Sequence, residues 1–205
     1  MLNREKILGI IAIVAIIGLV FTACDDDGGG DGSPGCDASC LAIGAAGPGG
    51  GKIIYHNHAG FNVTGLGTCY YLEAAPSNHD KIKWCNCTDS NLCNVTGATG
   101  TAIGTGKANT AAIIAVHKDD TASNNASKAA VAYTGGGKND WFLPSKDESS
   151  EMYKARTHLG ISSDWFWTSS QSDDSSAWNQ DFDSGYQDEG GSRYSNYNVR
   201  VIRAF

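Results

Sequence analysis

The chain has 205 residues, of which 18% are charged and 41% hydrophobic, and its 22 acidic and 15 basic side chains give a formal net charge of −7. An acidic chain without a basic stripe is a poor match for nucleic acid, or for a polyanionic glycan held by charge attraction alone. Its length suits one domain with a substantial core and does not demand two.

The N-terminus carries Arg4 and Lys6 and then 15 uninterrupted apolar residues from Ile7 to Phe21. A bilayer-spanning helix needs about 20, so residues 1–23 read as a secretion signal rather than a membrane anchor. The run closes on Phe21, Thr22, Ala23 and Cys24, the small-small-Cys ending of a bacterial lipobox with Phe in place of the usual Leu. Cys24 is therefore the expected lipidation site and mature N-terminus, anchoring the protein to a membrane of the bacterial envelope, at the outer surface or the periplasmic face. Cleavage removes Arg4, Glu5 and Lys6, a net +1, and leaves a charge of −8. From Asp25 to Gly35 the chain holds only Asp, Gly, Ser and Pro, so residues 24–35 read as a solvated tether and residues 36–205 as the folded domain.

Six further cysteines, Cys36, Cys40, Cys69, Cys85, Cys87 and Cys93, are an even number in an exported chain and predict disulfides, without choosing among the pairings. Zinc on Cys85, Cys87, Cys93 and His79 is a weaker alternative, because CxC spacing fits structural zinc poorly. Strands are predicted at Lys52–Tyr55, Cys69–Glu73 and Ile82–Trp84, from Ile and Tyr bounded by Gly, Asn and Pro. His56 and His58 flank Asn57 at a strand end and read as solvated side chains, with shared metal ligation as the alternative. Apolar spacing predicts helices at Lys107–His117 and Ala126–Tyr133, the second closed by Gly135. Trp141–Leu143 reads as a strand ending at Pro144, and Ser145 with Glu148 as a capping box that opens a helix to about Arg156. The remainder reads as β, near Trp165–Ser170, Ala177–Phe182 and Val199–Ala204. Mixed strands, then helices, then strands predict an α+β fold with two or three helices. Trp141, Trp165 and Trp167 are expected in the core, and Trp178 partly exposed.

Several motifs fall short of chemistry. Gly100–Lys107 has the glycines of a phosphate loop, but Thr101 stands where the first Gly is needed and Ala108 where the metal-binding hydroxyl is needed. Asn179, Asp181 and Asp183 alternate like a calcium loop, yet Ser184 and Gly190 occupy the required Gly and acidic positions. No nucleophile elbow or zinc-protease motif occurs, so no catalytic residue, metal or cofactor is assigned.

Between Gln171 and Asn198, 20 of 28 residues are Ser, Asp, Asn, Tyr or Gly. Tyr offers rigid contact area at low entropy cost, and Ser, Gly and Asn offer adaptable hydrogen bonds. The expected ligand contacts are Asp173, Asp174, Trp178, Asn179, Asp181, Asp183, Tyr186, Asp188, Tyr194, Asn196 and Tyr197. Asn codons altered at their adenines yield this same residue set, with Trp178, Gln180, Phe182 and Gln187 as fixed positions between, so a diversified segment and a fixed binding loop both fit.

The ordered set Gly135–Glu148 (GGGKNDWFLPSKDE), Trp167–Ser170 (WTSS), Ala177–Trp178 and Val199–Phe205 (VRVIRAF) resembles the Lcl C-terminal domain family. Tyr71–Ser77 and Gly100–Ala112 resemble its members among spirochaete lipoproteins, so the likeness covers roughly Gly47 to Phe205. That family is similar to C-type-lectin-like proteins, including the formylglycine-generating enzymes, whose Leu-Pro-Ser/Thr-x-x-Glu helix start is echoed by Leu143, Pro144, Ser145 and Glu148, and to the variable proteins of diversity-generating retroelements. The resemblance implies a lectin-like scaffold that displays a ligand site, for a protein or a glycan, on its C-terminal segment. The enzyme's activity is not implied, since it requires C-terminal cysteines and none follows Cys93. An envelope enzyme with other catalytic groups, and a purely structural envelope lipoprotein, are the alternatives.

Overall fold

The computed structural model describes residues 41–86, 95 and 97–205. The signal segment, Cys24, the tether, and Cys36, Cys40, Cys87 and Cys93 lie outside the described residues, so the lipidation site, four of the six domain cysteines and two of the four candidate zinc ligands fall there.

Two long strands open the fold, β1 (Lys52–Val63) and β2 (Gly67–Ala74), followed by the short β3 (His79–Ile82). Helices α1 (Gly106–Val116), α2 (Ala126–Ala132), α3 (Lys146–Lys154) and α4 (Arg156–Leu159) come next. Strands β4 (Trp165–Gln171), β5 (Ser176–Asp181), β6 (Gln187–Ser192), β7 (Tyr197–Val199) and β8 (Ile202–Ala204) complete it. The fold is α+β, with a three-stranded sheet ordered β1-β2-β8 and a five-stranded sheet ordered β3-β7-β4-β5-β6. All pairings are antiparallel except that of β4 with β7. Among the described residues four α-helices stand where two or three were predicted, because Ala155 interrupts the expected single helix and leaves α4 as a separate turn closed by left-handed Gly160.

The predicted C-terminal strand Val199–Ala204 divides between the two sheets. Arg200 turns inward at the crossing, where its guanidinium donates to the carbonyls of Ala75 (2.6 Å) and Leu159 (3.2 Å), and Ala75 N–H donates to the carbonyl of Val201. Every residue from Asn198 to Ala204 is buried, so no alternation of inside and outside marked the break. Trp141–Leu143 is not a strand but a single bridge, in which Phe142 and Ile202 exchange backbone hydrogen bonds of 2.8 and 3.0 Å. β3 lies earlier than predicted. Trp84 falls beyond it, fully buried, and its indole N–H donates to the carbonyl of Thr168. Gly135 does not close α2; it opens a 3-10 turn at Gly135–Gly137, and α2 ends at Ala132.

Two cores result. Trp84, Trp141, Trp167, Ile113 and Ala126, Ala129 and Ala130 of α2 fill one, while Ile54, Leu72, Phe142, Met152, Phe166, Phe182 and Ile202 fill the other. Neighbouring residues on one strand feed opposite cores: Phe166 enters the second and Trp167 the first. That two-sided burial is why β4 is aromatic throughout its first three residues. Trp165 is only half-buried, in contrast to the core position expected.

Among the described residues, the buried Arg193, Arg200, Arg203, Glu73 and Glu148 tie the layers. Glu73 accepts from the backbone N–H of Gly49 and Gly51 and from Arg203, which also forks onto Asp140 at 2.8 and 2.9 Å. The glycine turn before β1 thus clamps a carboxylate of β2 that bonds to β8.

Cys69 is a buried free thiol, which corrects the expectation that all six domain cysteines are oxidised. Apolar packing on β2 desolvates it and raises its pKa. Cys85 is buried and disulfide-bonded.

Candidate functional site

The C-terminal polar segment forms the free side of the five-stranded sheet. β5 pairs with β4 on one side and β6 on the other, so β6 is the edge among the described strands. No hydrophobic alternation marks β6, whose sequence is Gln-Asp-Glu-Gly-Gly-Ser. Sequence reasoning passed it over, because its register comes from β5 and from turns at both ends.

Those turns are built by the segment's acidic residues. Asp173 Oδ1 accepts from the backbone N–H of Ser175 and Ser176, each at 2.7 Å, and shapes the β4–β5 turn. The Ser175 N–H leads the donors that hold its carboxyl below the usual range. Asp181 closes the β5–β6 turn by accepting from the Ser184 hydroxyl and from the N–H of Asp183, and the Ser184 bond holds its pKa down. Asp188 accepts from the N–H of Gly190 at 3.0 Å. Of these three carboxylates, predicted as ligand contacts, Asp173 and Asp181 carry backbone turns first, and Asp188 bonds to its own strand β6.

The other predicted residues divide clearly. Asp174, Asp183, Tyr186, Tyr194 and Asn196 are exposed, Tyr186 to 62% and Tyr194 to 44%. Asn179 is fully buried: its amide donates to the carbonyl of Asp188 at 3.2 Å and, more weakly, to that residue's carboxylate at 3.5 Å. It belongs to the β5–β6 pairing, not to a contact surface. Tyr197 is half-buried against Trp165 and Trp167, with ring centres 6.0 and 4.5 Å away, and serves the core. Trp178 is half-buried, as expected, with the Lys146 ammonium 4.4 Å from its ring centre. Gln187 donates to the carbonyl of Lys146 at 2.8 Å, so the start of α3 braces the hairpin.

The calcium pattern does not assemble, since Asn179 turns into the sheet, Asp181 caps its own turn and Asp183 lies beyond the strand. Among the described residues no group of three or more His, Cys, Asp or Glu could hold a metal ion. Tyr186 and Tyr194 flank the two ends of β6, whose six residues span about 20 Å. The exposed residues therefore lie along an edge and do not converge in one pocket.

Sequence reasoning also missed what the glycine-rich Gly100–Lys107 segment does. Glu148, fully buried, accepts from the backbone N–H of Gly104 (2.8 Å) and Ser145 (2.7 Å), and the Gly106 N–H also bonds to it. A Cβ on Gly106 would lie 2.2 Å from the Glu148 carboxylate. The loop that resembled a phosphate cradle instead holds an internal carboxylate between the starts of α1 and α3. Burial pushes its pKa up to about 7 against the pull of those donors. Sealed on all sides, Glu148 cannot reach a substrate as an acid or base.

Arg193 is likewise buried. Its guanidinium lies 4.6 Å from the Trp84 ring centre and donates to the carbonyls of Asp173 and Ser176. Burial lowers its pKa to about 10. It fastens the β4–β5 turn to the first core, a role its place among Ser and Tyr gave no sign of. Neither the models of known protein families nor the curated proteins include a match to this chain.

Proposed function

We propose that the protein is a lipid-anchored binding protein of the bacterial envelope, with a C-type-lectin-like domain that engages a protein or glycan ligand along the β5–β6 edge. The observation that carries this reading is the pair Tyr186 and Tyr194, strongly exposed at the two ends of the edge strand. The β5–β6 hairpin that carries them is fixed from within by Asp181, Asn179 and the brace from α3. Preorganised turns lower the entropy cost of binding. The edge strand adds backbone donors and acceptors for a polar ligand. The lectin-like reading draws support from the pairing of the last strand, β8, with β2 in the sheet of the first strands.

Diversification of the segment is part of the same proposal. Of the four positions expected to be fixed, Gln180 and Phe182 are buried, and Trp178 and Gln187 contact the start of α3. Most of the Ser, Asp and Tyr between them are exposed; Asn179 and Asn198 are buried exceptions. A near-copy of this segment beside a reverse-transcriptase gene, with adenines at the variable codons, supports diversification, and a genome without either removes it.

Screening the full-length protein in detergent against arrays of glycans and host proteins tests the binding reading. Ligands retained by the wild type and lost on Tyr186→Ala with Tyr194→Ala support it. Ligands retained equally by both proteins place the site elsewhere. For the anchor, Cys24→Ala should abolish incorporation of labelled fatty acid and leave the precursor uncleaved; labelled, membrane-bound variant contradicts it.

A further inference from the structure

His56 and His58 stand two residues apart on β1, the outer strand of the three-stranded sheet among the described residues. On a regular strand such residues share a face, but their rings stand apart. Here the strand is strongly bulged. His56 pairs with Tyr71 and Phe61 with Cys69, so the four residues Asn57 to Gly60 stand opposite Tyr70 alone. The bulge is closed from within: the Asn57 side chain accepts from the N–H of Ala59 at 2.9 Å, and Gly60 takes a φ of +76°. Glycine tolerates that conformation and other residues rarely adopt it. The result brings the two imidazoles edge to face, with ring centres 4.7 Å apart and their Nε2 atoms 3.1 Å apart. Both side chains are half-buried, so solvent reaches them.

That separation suits a metal ion. With nitrogen–metal bonds of about 2.05 Å, nitrogens 3.1 Å apart subtend about 98° at the ion, between square-planar and tetrahedral angles. Imidazole nitrogen is a favoured ligand of zinc, copper and nickel, and calcium and magnesium prefer oxygen.

We propose that His56 and His58 form a two-imidazole site for a divalent first-row transition metal, zinc or copper, at the bulge of β1. Without metal, one Nε2–H donates to the other ring's Nε2. On binding, that proton moves through solvent to Nδ1 of the same ring, and both Nε2 lone pairs go to the ion with no net loss of protons. Among the described residues no third His, Cys, Asp or Glu joins them, so the remaining coordination positions are open to water or to a small ligand. The site lies in the other sheet from the β5–β6 edge and does not depend on the ligand reading given above.

The test is titration of the full-length protein in detergent with zinc by calorimetry, and with copper by electron paramagnetic resonance. The wild type should bind one ion at this site, and His56→Asn and His58→Asn should each weaken it at least about ten-fold. His79→Asn should leave it unchanged. The copper spectrum should carry hyperfine splitting from two imidazole nitrogens, falling to one in either variant. Undiminished zinc binding in both variants, a wild-type copper spectrum with fewer than two nitrogens, or no saturable binding overturns the proposal. Where a variant fails to match the wild-type circular dichroism, the nitrogen count of the wild type alone decides.

Discussion

Glu148 shows how a residue legible in the sequence acquires a second role in the fold. Ser145 and Glu148 at capping-box spacing open α3 as predicted. The sequence held no sign that Gly104 and Gly106 would fold over the same carboxylate. The folded pKa is raised from 4.5 to about 7, so folding favours the protonated form. Its contribution is full below the unfolded value and is lost as the pH rises through the folded one. Between about pH 4 and pH 8, wild-type stability should fall by about 3 kcal/mol relative to Glu148→Gln. Denaturant unfolding of both proteins across that range measures it, and a difference independent of pH contradicts the assignment. The same limit on legibility applies to Asp173, Asp181 and Asp188. These Asp side chains were read as contact residues, whereas short polar side chains of this kind give their oxygens first to nearby backbone N–H groups. Composition cannot distinguish the two uses.

Elements with strong periodicity were legible and those without it were not. α1 and α2 fall within a residue or so of prediction, as does the start of α3, and β2, β4 and β5 are found close to where they were expected; β1 starts at Lys52 as predicted but runs on to Val63, so His56 and His58 lie within the strand and not at its end. β6 was invisible, since a polar, glycine-containing strand borrows its register from β5. The break between β7 and β8 was hidden by burial on every side. Trp141 is the element-scale test of the core: it is almost fully buried, packs edge-on against Tyr133 at 5.1 Å, and lies beside the Phe142 bridge to β8. Trp141→Ala should cost about 3 to 5 kcal/mol in urea unfolding. A loss under about 1 kcal/mol would place Trp141 outside the core.

At the scale of the molecule, the five-stranded sheet, the buried Arg193 and the start of α3 hold the polar edge in place from behind. Cys69 sits apart from that edge, on β2 of the other sheet. It should resist alkylation in the native protein and react once the chain is unfolded without reductant, as mass spectrometry of the labelled peptide would show. Rapid native labelling, or a Cys69 peptide found cross-linked, contradicts its placement. The α+β class and the location of the polar segment were legible in the order of elements and in composition. The arrangement of that segment as an edge strand between two exposed tyrosines was not, because it depends on Asn179, Gln187 and Arg193 turning inward from a run that looks uniformly polar. The central claim is that this edge binds. Its most direct test is the affinity of a ligand identified on the arrays, measured by biolayer interferometry for the wild type and for Tyr186→Ala with Tyr194→Ala. The account predicts a loss of at least about 30-fold in the folded double variant, as for a pair of interface anchors. Unchanged affinity in a variant with wild-type circular dichroism would contradict it.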